Sequence, residues 1–294
     1  MVMSLALLHT SARISWEEFT VHPSTVIGIV GLAALYEYGA RKTTRGGRGE
    51  TGATESRSRL PASTPRRFMF HGALVLMFLS LNGWLHDLSD AYLFSAHMVQ
   101  HLLLAFVVAP MMLMAVTTDM MRLLIEPRII RALAERVTRP VVCFAIFNVV
   151  IAGWHLPPMY NYALAHHPAH IAQHLLILVA SVLMWWPILS PLPELPRLNY
   201  PGQMLYLFLM SIPMAIVSVY IAYSDGILYP LYASAPRVWG ISPMSDQMMG
   251  GLIMWIPGGL FFYTIISVVF LRWNQRGAED SQAGAQVGWS TATR

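Results

Sequence analysis

Apolar residues fall in long runs separated by short polar stretches. A run of about 20 is what an α-helix needs to cross a hydrocarbon core. A sliding apolar window predicts about seven such spans. They are His22 to Tyr38, Phe68 to Leu85, Leu93 to Val116, Val141 to His155, His170 to Leu189, Gln203 to Tyr223 and Met248 to Leu271. The fourth is the shortest. Pro140 opens it at a favoured first-turn position, and Pro157-Pro158 close it. Pro110, Pro213 and Pro257 predict kinks, and Gly250-Gly251 and Gly258-Gly259 predict close helix contact. The expected fold class is all-α, a polytopic membrane helix bundle. Residues 1–277 form a single transmembrane domain with a flexible cytoplasmic loop over 43–65, and residues 278–294 form a disordered cytoplasmic tail. Met1 to Leu8 lack a basic stretch and a clear cleavage site, so the first span is expected to act as the insertion signal.

Composition agrees. Charged residues make up 12% of the chain and mean hydropathy is +0.51, against roughly 25% charged in soluble domains. The net charge of +4 is explained by loops between spans and points to no nucleic acid. Arg41, Lys42, Arg45, Arg48, Arg57, Arg59, Arg66 and Arg67 follow the first span; Arg122, Arg128, Arg131, Arg136 and Arg139 follow the third. Arg197 follows the fifth, and Arg272, Arg276 and Arg294 the seventh. The alternate loops hold Arg13 and Arg237. Positive charge stays in the cytoplasm, which puts the N-terminus outside and the C-terminus inside. The single cysteine, Cys143, excludes an internal disulfide and a Cys-x-x-Cys motif.

With that orientation every histidine except His71 falls outside or in the outer leaflet. Two pairs, His97/His101 and His170/His174, have i,i+4 spacing, which puts both members on one helical face. Imidazoles inside a membrane need partners. They are either polar glue between helices or ligands of an ion shared by two helices. Asp87, Asp90, Asp225 and Asp246 could orient ring nitrogens not bound to metal; Asp246 could equally cap its own helix. For His9, His22, His166 and His167 an interfacial role is a sufficient explanation. Imidazole suits zinc, copper, iron and nickel, and thioether favours Cu(I). Met98 is one of several methionines near the outer face, although packing accounts for most of them.

Several strings resemble one family. Phe94-Ser95-Ala96-His97-Met98-Val99-Gln100-His101, Trp154-His155-Leu156-Pro157 with Tyr160-Asn161, Trp185-Trp186-Pro187, Leu228-Tyr229-Pro230 and Gly251-Leu252-Ile253-Met254-Trp255 are similar to the caa3-type cytochrome c oxidase assembly factor family, CtaG. The likeness runs from about His22 to Arg272. It implies a multi-pass bacterial inner-membrane protein supporting maturation of a haem–copper oxidase, with copper delivery as its role and no catalytic constellation. Oxidase subunits or a periplasmic copper chaperone would be its partners. His97, His101, His155, His170 and His174 fall on family positions, as do Asp246 and Gln247. Gln173, Ser245 and the string Asn82 to Asp87 depart from it, and His86 is an additional candidate. The expected metal ligands are thus His97, His101, His170, His174 and His155, with His86, Asp246 and Met98 as further candidates, and the expected ion is copper. Alternatives are a b-type haem held by the same histidines, a metal-dependent membrane enzyme and a copper transporter. Retinal is excluded because the one lysine, Lys42, lies in a cytoplasmic loop. Transport is disfavoured by the few polar residues deeper in the bilayer, Asn148, Ser211 and His71.

Overall fold

The computed structural model describes residues 19–46 and 63–292, with side chains up to residue 278 in the last helix. His9, Arg13 and most of the loop expected over 43–65 lie outside the described residues. Among those described, the chain is helical throughout. The order is α1 (Pro23–Gly46), α2 (Thr64–Leu81), α3 (Gly83–Ala91), α4 (Phe94–Ala115), α5 (Thr118–Leu124), α6 (Arg128–Val137), α7 (Pro140–His155), α8 (Pro157–Ala165), α9 (His167–Leu189), α10 (Tyr200–Ala222), α11 (Pro230–Ser234) and α12 (Pro243–Ala292). The tail expected over 278–294 falls at the end of α12, which is helical to Ala292.

Among the described residues four helices, α4, α9, α10 and α12, are long and apolar enough to cross a membrane, or six if each of two bent pairs is one crossing. The pairs are α2 with α3, bent by 42°, and α6 with α7, bent by 80°. α1 is not among them. Its polar start at Pro23-Ser24-Thr25 and Glu37 shorten the apolar stretch.

The α2–α3 bend changes the chemistry of the bundle. Gly83 has φ +63, and a Cβ there would meet the Phe19 ring at 2.1 Å. Asn82 Nδ2 donates to the Phe78 carbonyl at 3.0 Å, while the Gly83 N–H donates to the Thr20 carbonyl at 2.8 Å. An extended Asn82 followed by a left-handed residue with no side chain ends α2 and starts α3 in a new direction. His86 and Asp90 are thereby carried on a helix against α4, instead of in the loop that the apolar window predicts.

α4 contains a π-helical turn over Leu103–Val108, ahead of Pro110. Proline removes a backbone donor and frees a carbonyl one turn earlier. The indole of Trp185 donates to the Ala105 carbonyl at 2.9 Å. Trp185 is therefore a buried partner for α4, whereas Trp239 is exposed as an interfacial anchor would be.

α10 packs most extensively against α12. Contact this close needs glycine. A Cβ on Gly251 would stand 2.7 Å from the Ala222 nitrogen and 2.8 Å from the Ser218 carbonyl oxygen. Backbone atoms yield less readily than side chains. Gly251→Val is expected to cost about 1–3 kcal/mol through overpacking, seen as a lower midpoint of thermal unfolding in detergent.

The basic segments lie at the far end of the helices from the paired histidines. α4 has 22 residues, which at 1.5 Å per residue separates its ends by about 33 Å. At that far end Glu37 pairs with Arg67 at 2.9 Å and with His71 at 3.1 Å. Arg122 pairs with Glu194 at 2.6 Å. Hydrogen bonds from its own backbone and from Arg122 hold the Glu194 carboxyl below its ordinary range.

Candidate metal centre

The two histidine pairs converge. His97 and His101 on α4 face His170 and His174 on α9, with ring centroids 5.4 Å apart for His97 and His174 and 5.3 Å for His101 and His174. His155, at the end of α7, adds a ring 5.4 Å from that of His101. His86 stacks 5.9 Å from His170. All six are buried. One ligand nitrogen each from His97, His101 and His174 lie within 4.8 Å of one another. So do ligand atoms of Asp90, His97 and His170.

The hydrogen bonds fix which nitrogens carry protons, because each neutral imidazole has one donor and one acceptor. The Asp90 carboxylate lies 3.3 Å from His170 Nδ1 and 3.3 Å from His86 Nε2. His170 Nδ1–H therefore donates to Asp90, which leaves Nε2 as an acceptor. His174 Nε2 lies 2.8 Å from it and must donate. His174 Nδ1 is then a bare lone pair.

A second chain of bonds starts at Tyr232. Its hydroxyl donates to the Ser89 carbonyl at 2.6 Å and lies 3.0 Å from the Tyr160 hydroxyl. Burial pushes both phenols up, so both keep their protons. Tyr160 thus donates to Tyr232. His97 Nδ1, 3.4 Å from the Tyr232 oxygen, is left to donate as well. His97 Nε2 is then the acceptor in its 2.8 Å contact with His101 Nε2. His101 Nδ1 becomes a second bare lone pair. On α7, His155 Nδ1 donates to the Ile151 carbonyl at 2.7 Å, which bares Nε2.

These three atoms, His101 Nδ1, His155 Nε2 and His174 Nδ1, are buried with no hydrogen-bond partner. An unsatisfied buried polar atom costs about 1–3 kcal/mol. A neutral imidazole with a free lone pair is also the form that binds a metal. The donor type and the two groups of ligand atoms within 4.8 Å fit an ion that accepts imidazole, with Asp90, Tyr232 and Tyr160 orienting the rings from outside.

Two of the sequence candidates belong elsewhere. Asp246 is spent on the start of α4: its carboxylate accepts from the Phe94 N–H at 2.6 Å, the Ser95 N–H at 3.1 Å and the Ser95 hydroxyl at 2.5 Å. It caps a helix distant in sequence, since free N–H groups and a positive dipole end attract a carboxylate. Met98 sits 100° around the helix from His97 and packs toward α12, its Cγ 3.2 Å from where a Gly250 Cβ would be. Gln247 clamps the loop before α11, accepting from the Leu228 N–H at 2.7 Å.

Other residues belong to the centre besides the expected ligands, and Asp90 orients rings there as the sequence allows. Asp90 was one acid among four. In the sequence Tyr160 stands only within a family-like string, and nothing marks Tyr232. Gln100, one position before His101 in its string, donates to the Ser80 carbonyl at 2.6 Å and lies 3.3 Å from His86 Nδ1. An interfacial role is the expectation for His22, yet its ring is 4.4 Å from that of His86.

The model of a family described as cytochrome c oxidase caa3 assembly factor matches residues 34–276. An uncharacterized protein of Mycobacterium bovis and an uncharacterized protein of Mycobacterium tuberculosis are each 25% identical to the chain over 137 residues. The matched part is 46% of this chain and 21% of each of those proteins, so the chain spans about a fifth of their length. No solved structure matches the chain.

Proposed function

The chain belongs to the cytochrome c oxidase caa3 assembly factor family, and from that premise we propose that it holds copper at the histidine centre and delivers it to the oxidase. The copper is cargo. It would be passed to oxidase subunits or exchanged with a periplasmic copper chaperone at the outer surface of the bacterial inner membrane. In this reading α1 is a seventh crossing, the N-terminus is outside and the C-terminus is cytoplasmic, in line with the positive-inside rule.

One observation carries the proposal: three buried imidazoles present lone pairs that nothing in the protein uses. The donor set is imidazole-rich with a single carboxylate, Asp90, nearby. That composition suits copper better than calcium or magnesium, which take oxygen ligands. Haem is a poorer match. The cavity beside the centre holds about 140 Å³, whereas small-molecule pockets run from about 300 Å³ upward.

The test is metal analysis by mass spectrometry on protein purified without chelators, together with a visible spectrum. Bound copper without a Soret band supports the proposal; a strong Soret band, or protein that takes up no copper, overturns it. A deletion strain with full oxidase activity under copper limitation would count against the delivery role.

Asp90 has a separate expected effect. As asparagine it could no longer accept from both His86 and His170 as a charged group. The proton order that bares His174 Nδ1 would weaken. Asp90→Asn is expected to lower Cu(I) affinity about 10–100-fold, measured by competition against a chromogenic chelator.

A further inference from the structure

The buried centre needs a way in. Around its rim the imidazoles continue beyond the ligand set. His22, just before α1, has its ring 4.4 Å from His86 and 6.0 Å from His167. His86 stacks 5.9 Å from His170, and His170 is 4.5 Å from His174. His167 is exposed at the start of α9, His22 is half-buried, and His86, His170 and His174 are buried. Exposure thus falls from His167 through His22 to three buried rings, with no gap between neighbouring centroids larger than 6.0 Å.

The same five histidines line one cavity, of about 140 Å³, between α1, α2 and α9. Its other walls are largely apolar, including Gly28, Ile29, Leu32 and Leu178. A water needs roughly 10–15 Å³ of such space, so the cavity admits a small hydrated ion or its ligand-exchange partners. His22 is held for this position. Its backbone N–H donates to Asn82 Oδ1 at 2.7 Å, while His22 Nε2 is buried and has no partner. The Asn82–Gly83 bend that delivers His86 therefore also anchors His22.

We propose that His167 and His22 form the entrance for the metal ion, a transit station that hands a Cu(I)-type cation through the α1–α9 cavity by way of His86 to His170 and His174. Each step exchanges one imidazole for the next, with no change of oxidation state. The outer rings are suited to transit, not storage. Both groups of three ligand atoms within 4.8 Å among the described residues are in the inner centre, and neither contains His22 or His167. A site with fewer ligands binds weakly and releases readily.

The inference rests on the copper reading, and its test separates the two. The full chain in detergent is mixed with Cu(I) held by a weak coloured chelator, and transfer is followed by absorbance. His22→Leu with His167→Leu is expected to slow loading at least tenfold while the final amount of copper in the centre matches wild type. Gly28→Phe is the second variant. A Cβ at Gly28 meets nothing within 4 Å, so the ring can fill the cavity without removing an imidazole, and loading should slow in the same way. If wild type takes up no copper, both readings fall. If wild type loads and neither variant is slowed, the entrance is overturned and the centre stands. Should the histidine variant bind fewer ions at equilibrium, His22 and His167 are storage ligands and the transit role is overturned. If that variant fails to fold, Gly28→Phe decides alone.

Discussion

Replacing His101 and His174 together by alanine is expected to abolish stoichiometric copper binding while the protein remains folded. Their Nδ1 atoms are two of the three unused lone pairs, and His101 is the ring that links α4 to both α9 and α7. The double variant removes two of the three ligand atoms of the His97–His101–His174 group and leaves His97 and His170, 5.5 Å apart beside Asp90, as a weaker remnant. Affinity should fall well beyond the 10–100-fold typical of losing an outer-shell partner, and metal content measured by mass spectrometry should drop to background. Folding should survive because the lost rings donate only to other imidazoles, His101 to His97 and His174 to His170. Each loss leaves one acceptor unpaired, at about 1–3 kcal/mol. Unchanged copper stoichiometry in a folded double variant would remove these two residues as ligands.

Asp246→Ala is expected to produce the largest loss of stability of any single change near the centre. The carboxylate is buried and accepts from two backbone N–H groups and one hydroxyl at the start of α4. Hydrogen bonds to a charged group contribute about 1.5–3 kcal/mol each, and these share one cap. A net loss of about 3 kcal/mol follows, seen as a lowered unfolding midpoint in detergent. Asp246→Asn should fall between, since its amide keeps one accepting oxygen. The copper centre reports the same change: α4 begins at Phe94 and His97 is one turn further on, so loosening that start should also weaken copper binding. An Ala variant as stable as wild type would show that α4 is held by packing alone.

Much of the centre was legible in the chain. The i,i+4 spacing puts His97 with His101 and His170 with His174 on one face by helix geometry alone, and the structure turns those faces toward each other. His155 could be placed from its string at the end of an apolar run. Asp90 was visible only as one of several acids, because its selection depends on the bend at Asn82–Gly83. Met98 and Asp246 looked like ligands for the opposite reason: they stand beside the histidines in sequence or in the family strings, and sequence proximity says nothing about which side of a helix faces which neighbour.

The sequence by itself determined the helical class, the apolar spans around α4, α9, α10 and α12, the glycine contact at Gly251 and the histidine pairs. These follow from local rules: run length, helical period, and the absence of a side chain. Only the tertiary structure decided which nitrogens are left bare, because that depends on donors far away in the chain, such as Tyr232 for His97 across 135 residues. It also decided that Asp246 caps α4 across 152 residues and that His22 stands in the file leading to the centre. A hydrogen-bond network is set by distances between helices, and packing fixes those distances.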